Sequence, residues 1–126
     1  MPEPQLGRSV LVVEDDDTIR ETTALLLETR GYAVRGARDG RQALAELRGR
    51  PVDLVVLDLW MPNMDGWQFR LRQGQDPALA AIPVLVLSAV ADISRRTGTL
   101  PGVSFLQKPA DPQDLFAAVA RLTGGP

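Results

Sequence analysis

The stretch "DLVVLDLWMPNMDG", residues 53–66, decides the fold. Its apolar body reads as a strand buried on both faces, because a parallel strand covered by helices is apolar throughout rather than alternating. Yet the run finishes on a carboxylate, Asp58, followed at once by a Met-Pro turn. An unpaired charge is costly to bury. Asp58 therefore calls for partners, and the other runs must supply them.

Outward from that stretch, short apolar runs alternate with amphipathic ones. "SVLVV" (9–13), "YAVRGA" (32–37), "IPVLVLSA" (82–89) and "GVSFLQ" (102–107) read as four further strands. Between them, "TIRETTALLLETRG" (18–31) repeats Ile19, Thr22, Leu25, Leu26 and Thr29 at helical spacing, with Asp17 as N-cap and Gly31 as C-terminal stop. "GRQALAELRG" (40–49) puts Ala43, Leu44 and Leu47 on one face, "WQFRLRQG" (67–74) forms a third helix, and "PQDLFAAVARLT" (112–123) a last one with Pro112 near its start. Strands alternating with helices predict a parallel sheet covered on both sides. Alternation also calls for a helix in "ADISRRTGTLPG" (91–102), but Gly98, Pro101 and Gly102 make it short or irregular. The expected domain runs over 9–123, with flexible tails at 1–8 and 124–126.

Composition narrows the chemistry. At 126 residues, 44% hydrophobic and 24% charged, the chain is sized and composed for one globular domain. It has no cysteine and no histidine, which excludes disulfides, thiol catalysis, histidine-based triads and Cys/His metal sites. A net charge of -2 with scattered arginines argues against nucleic-acid binding. The longest apolar stretch is broken by Pro83 and falls short of the roughly 20 residues a bilayer requires, and "MPEPQLGR" lacks a signal peptide's apolar segment. The expected location is cytoplasmic, without membrane insertion.

In an open α/β sheet, ligands bind beyond the carboxyl ends of the strands. The first strand ends in Glu14, Asp15 and Asp16, the third in Asp58, the fourth in Ser88 and the fifth in Lys108. Clustered carboxylates repel one another and stay ionised together only beside a cation. An all-oxygen donor set selects a hard ion, Mg²⁺ above all, with Mn²⁺ as an alternative. Lys108 is the only lysine among 14 basic residues, placed where a compact point charge rather than a planar guanidinium is wanted. The bland alternatives are a solvated helix-capping cluster for "EDDD", a turn cap for Asp58 and a self-satisfied strand end for Ser88.

"VLVVEDD", "VVLDLWMPNMDG", "VLVLSA" and "FLQKP", in that order, resemble the receiver domains of two-component response regulators. The resemblance implies a flavodoxin-like, doubly wound five-stranded sheet of order 2-1-3-4-5 with helices on both faces. It implies that Asp58 accepts a phosphoryl group from a histidine kinase or histidine phosphotransfer protein. Glu14, Asp15, Asp58 and the backbone carbonyl of Trp60 would hold Mg²⁺. Ser88 and Lys108 would bind the phosphoryl group, and Phe105 would act as a switch aromatic, with plain core packing as its competing reading. Pro62 and Gly66 would shape the turn, and Pro109 would follow a cis peptide. The implied protein is a signalling domain rather than an enzyme, one that assists its own phosphorylation and slow dephosphorylation. It would have an output partner of unassigned kind, and a homodimer is compatible with the family. Two departures stand out. Trp60 and Val90 are bulky or apolar near the mouth, where they would hinder hydrolytic water, and the gap from Ser88 to Lys108 is short. The rivals are a phosphorylation-independent receiver-like binding module and an aspartate-based phosphohydrolase, the latter disfavoured by Trp60 standing where its second aspartate belongs.

Overall fold

The computed structural model describes residues 8–58, 66–89, 103–108 and 111–125; for Asp58, Trp67, Ser88, Ala89 and Lys108 it describes the backbone alone. Five strands, β1 (Ser9–Val13), β2 (Ala33–Ala37), β3 (Leu54–Asp58), β4 (Val84–Ala89) and β5 (Ser104–Lys108), pair in parallel in the order β2-β1-β3-β4-β5. The expected sheet is therefore the observed one. Four helices accompany it among the described residues: α1 (Asp17–Glu28), α2 (Gly40–Gly49), α3 (Gly66–Gln75) and α4 (Pro112–Thr123). The helix anticipated in 91–102 lies outside the described residues, as do Trp60, Pro62, Val90 and Pro109.

Strand alternation splits the core into two layers. Leu11, Val13, Val55, Leu57, Val84 and Val86 pack on one face with Ala43, Leu44 and Leu47 of α2 and Phe69 of α3. Val10, Val12, Leu54, Val56 and Leu85 pack on the other with Leu27 of α1 and Leu115, Ala118 and Val119 of α4. Each strand alternates between these layers, which explains why the central runs, β1 and β3, are apolar at nearly every position before their polar ends. Aspartates set the local geometry at both rims. Asp53 accepts from the Ser9 amide at 2.8 Å and thereby ties the start of β1 to the start of β3. Asp39 caps α2 by accepting from the Gln42 amide at 2.8 Å. One buried amide, Gln73, donates to the carbonyls of Leu79 and Ile82, both at 3.0 Å, and so holds the turn between α3 and β4.

Helix α1 departs from its sequence reading in two respects. Its N-cap is Asp16, whose side chain accepts from the Ile19 amide at 2.9 Å, one residue before the expected Asp17. Its buried face is also rotated: Leu27 is buried, whereas Ile19 is 49% and Leu25 63% exposed. The face toward the sheet uses Thr23, Ala24 and the stem of Arg20 instead. Gly36 on β2 leaves room for that stem, because a Cβ there would stand 3.1 Å from the Arg20 Cδ.

Candidate functional site

Parallel register brings the expected strand ends to one rim. Val13 pairs with Leu57, so Glu14 follows at the level of Asp58 on the adjacent strand. Asp58 pairs with Leu87, one residue before Ser88, and Ala89 pairs with Lys108. Positions 58 and 108 lie two residues beyond Val56 and Leu106, which belong to the layer under α1 and α4, as does Val12, two residues before Glu14. Position 88 follows Val86 of the other layer. β1, β3, β4 and β5 thus all deliver their polar terminal residues to the carboxyl rim, and the order β2-β1-β3 makes β1 and β3 neighbours.

The acidic loop after β1 is built in detail. Glu14 is 6% exposed. Its amide donates to the Ala37 carbonyl at 3.0 Å, continuing the pairing with β2. Its Oε2 accepts from the Asp16 amide at 3.1 Å, and its carbonyl accepts from Arg20 Nη1 at 2.9 Å. Asp15, next along, is exposed at the rim. Asp16 and Asp17 serve the helix: the first caps it, and the second pairs with Arg20 Nη2. A hydrogen bond from Arg20, reinforced by its charge, holds the Asp17 carboxyl below its ordinary value. The capping reading of "EDDD" is therefore right for Asp16, and Asp17 is the ion-pair partner of Arg20 rather than the cap. Phe105 is half-buried and packs against the layer under α2 and α3.

Among the described side chains, no group of three or more His, Cys, Asp and Glu gathers to hold a metal. Glu14 and Asp15 are two of the three expected acids; the third, Asp58, is described by its backbone alone. Sequence reasoning missed Arg20, although its spacing of three residues from Asp17 on a helix was a usable signal.

The response regulator receiver domain model matches residues 10–120, from the second residue of β1 into the last helix. The chain belongs to the response regulator receiver domain family. The phosphate regulon transcriptional regulatory protein PhoB of Pseudomonas aeruginosa is 32% identical to this receiver domain over 94% of the chain and 54% of its own length. The signal receiver domain of a signal transduction histidine kinase from Syntrophus aciditrophicus is 32% identical with a TM-score of 0.85, covering 94% of this chain and 91% of that one. The receiver domain of the sensor histidine kinase PA1611 from Pseudomonas aeruginosa, with a magnesium ion coordinated in its active site cleft, shares the fold at TM-score 0.86 and 23% identity, covering 94% and 99% of the two chains. Receiver domains of this family are signalling modules of two-component systems. The chain spans between 11% and 54% of the length of eight curated relatives that it matches. No described helix is long and apolar enough to cross a membrane.

Proposed function

We propose that this receiver domain takes a phosphoryl group onto Asp58 from a phosphohistidine of a histidine kinase or phosphotransfer protein, with Mg²⁺ (or Mn²⁺), and changes conformation in response. The observation that carries the proposal is the register placing Glu14 and Asp58 level on adjacent strands, with Asp15 next in sequence. A buried glutamate beside an exposed aspartate, in a chain without histidine or cysteine, is an oxygen-only donor set that fits a hard divalent ion. Glu14, Asp15, Asp58 and the Trp60 carbonyl would hold it. When bound, the ion supplies neutralisation of charge on the transferring oxygens.

An Asp58 oxygen attacks phosphorus, forming an acyl phosphate as the bond from phosphorus to the donor imidazole breaks. The imidazole leaves with the electron pair and recovers a proton; it must belong to the partner, because this chain has none. The Lys108 ammonium balances a phosphoryl oxygen, and the Ser88 hydroxyl donates to another. The added charge of roughly -2 biases two conformational populations, with Phe105 as the aromatic that reports the change. Pro62, Gly66 and Pro109 shape the loops that carry these groups, and Trp60 and Val90 restrict water at the mouth. Exposed Ile19 and Leu25, together with a groove of about 160 Å³ between α1 and α4 lined by Leu26, Leu106 and Leu115, offer the phosphodonor an apolar landing face.

Incubation with a small phosphodonor and Mg²⁺, followed by intact mass, tests the assignment. Wild type is expected to gain one phosphoryl group and Asp58→Asn none. An unchanged wild-type mass refutes phosphoryl acceptance and leaves the phosphorylation-independent binding module.

A further inference from the structure

The acidic loop is held by a residue that lies outside the strand ends. Arg20, in the second turn of α1, is only 15% exposed along its side chain. Its stem crosses β2 over Gly36, where the absence of a Cβ leaves room for it. Its guanidinium then forks, with Nη1 donating to the Glu14 carbonyl at 2.9 Å and Nη2 pairing with Asp17. A peptide unit is planar, so fixing the Glu14 carbonyl also fixes the plane that leads into Asp15. The Glu14 side chain is already held by the Asp16 amide, so the orientation of the peptide leading into Asp15 is what this one helix-anchored side chain adds.

We propose that Arg20 is the positioning residue of the divalent-ion site, holding the Glu14–Asp15 peptide in the orientation that lets both acids face the ion. The inference rests on the ion-dependent phosphoryl acceptance proposed above. A second role for Arg20, as a nearby positive charge, predicts the opposite outcome. A cation beside the site repels Mg²⁺, so removing it, and leaving Asp17 negative, would tighten ion binding by charge alone. Loss of orientation weakens it. Residues that orient metal ligands are typically worth about tenfold or more in affinity, whereas the charge of Arg20 is already offset by Asp17.

The test is calorimetric titration of the full chain with Mg²⁺, alongside phosphoryl uptake from a small phosphodonor read by intact mass. Arg20→Met keeps the stem over Gly36 and removes the fork. The Arg20→Met, Asp17→Asn pair also restores charge balance. Both are expected to raise the Mg²⁺ dissociation constant about tenfold, with uptake at saturating Mg²⁺ within about twofold of wild type. Arg20→Lys, which keeps the charge without the fork, is expected to rescue affinity only in part. Gly36→Ala crowds the stem without touching Arg20 and is expected to weaken Mg²⁺ in the same direction, a check that holds even if Arg20→Met folds poorly. Unchanged or tighter Mg²⁺ binding in the charge-balanced pair overturns the assignment of Arg20 while phosphoryl acceptance by wild type stands. A wild-type chain that binds no Mg²⁺ and gains no mass overturns both proposals together.

Discussion

Trp60 stands two residues past the proposed phosphoryl acceptor, and the role proposed for it has a kinetic consequence. Hydrolysis of an acyl phosphate needs a water aligned opposite the aspartyl oxygen, and an indole at the mouth would obstruct that approach. Trp60→Asn is expected to speed loss of the phosphoryl group about fivefold, equivalent to about 1 kcal/mol in the barrier. Following the mass of the phosphorylated species over time checks this, and an unchanged or slower decay refutes the role of Trp60. At this scale the sequence located the strand ends wherever a polar residue closed an apolar run, as at Glu14, Asp58 and Lys108, whose backbones reach the carboxyl rim. It was silent on Gln73, whose buried amide serves two carbonyls of a turn that no motif marks. For Arg20 it offered only the three-residue spacing from Asp17: an arginine on a helix ordinarily reads as solvated, and the packing of its stem over Gly36 shows only in the structure.

Helix α1 is the element where sequence and structure part. Ile19, Leu25 and Leu26 look like a core stripe, yet Ile19 and Leu25 are exposed, Leu26 is half-buried and the fully buried leucine is Leu27. The chain crosses closely over β2, so small residues and an aliphatic arginine stem fit where large branched ones would not. The two faces should therefore respond differently to truncation. Leu27→Ala is expected to cost about 2–5 kcal/mol in urea unfolding, as a cavity in a closed core does. Leu25→Ala should stay within about 0.5 kcal/mol, as exposed sites do. Equal losses would mean that the face was assigned wrongly. Helix α2 was legible throughout, because Ala43, Leu44 and Leu47 form an unambiguous stripe and all three are buried. The central strands β1 and β3 were legible too, since each is an apolar run closed abruptly by an acid; β2, with Arg35 and Gly36 inside it, was marked only by alternation with the helices.

For the molecule as a whole, the proposed ion site would couple folding to the ion. Carboxylates crowded at such a site would destabilise the ion-free fold, and any ligand of the native state adds stability by mass action. At ten times its dissociation constant, Mg²⁺ should contribute about 1.4 kcal/mol, raising the melting temperature by about 3–6 °C. Asp15→Asn is expected to melt at or above the ion-free wild type and to show little response to Mg²⁺. Scanning fluorimetry with and without the ion measures both, and a full Mg²⁺ shift in Asp15→Asn would remove Asp15 from the ion site. The architecture behind this coupling was readable from alternation alone, because five parallel strands bring their carboxyl ends to a common rim. Which side chains meet there depends on strand order, and composition does not supply that order.

The final helix has a practical consequence for anyone attaching a probe. Starting just past β5, it runs back along the sheet and finishes where the Thr123 hydroxyl meets the Tyr32 phenol at 3.4 Å, just before β2 begins. A dye, tag or fused polypeptide joined there leaves the molecule from the far pole, a helix length of about 18 Å from the acidic mouth. Such cargo should leave the phosphodonor's approach unobstructed, and any message it receives must be relayed through the body of the domain.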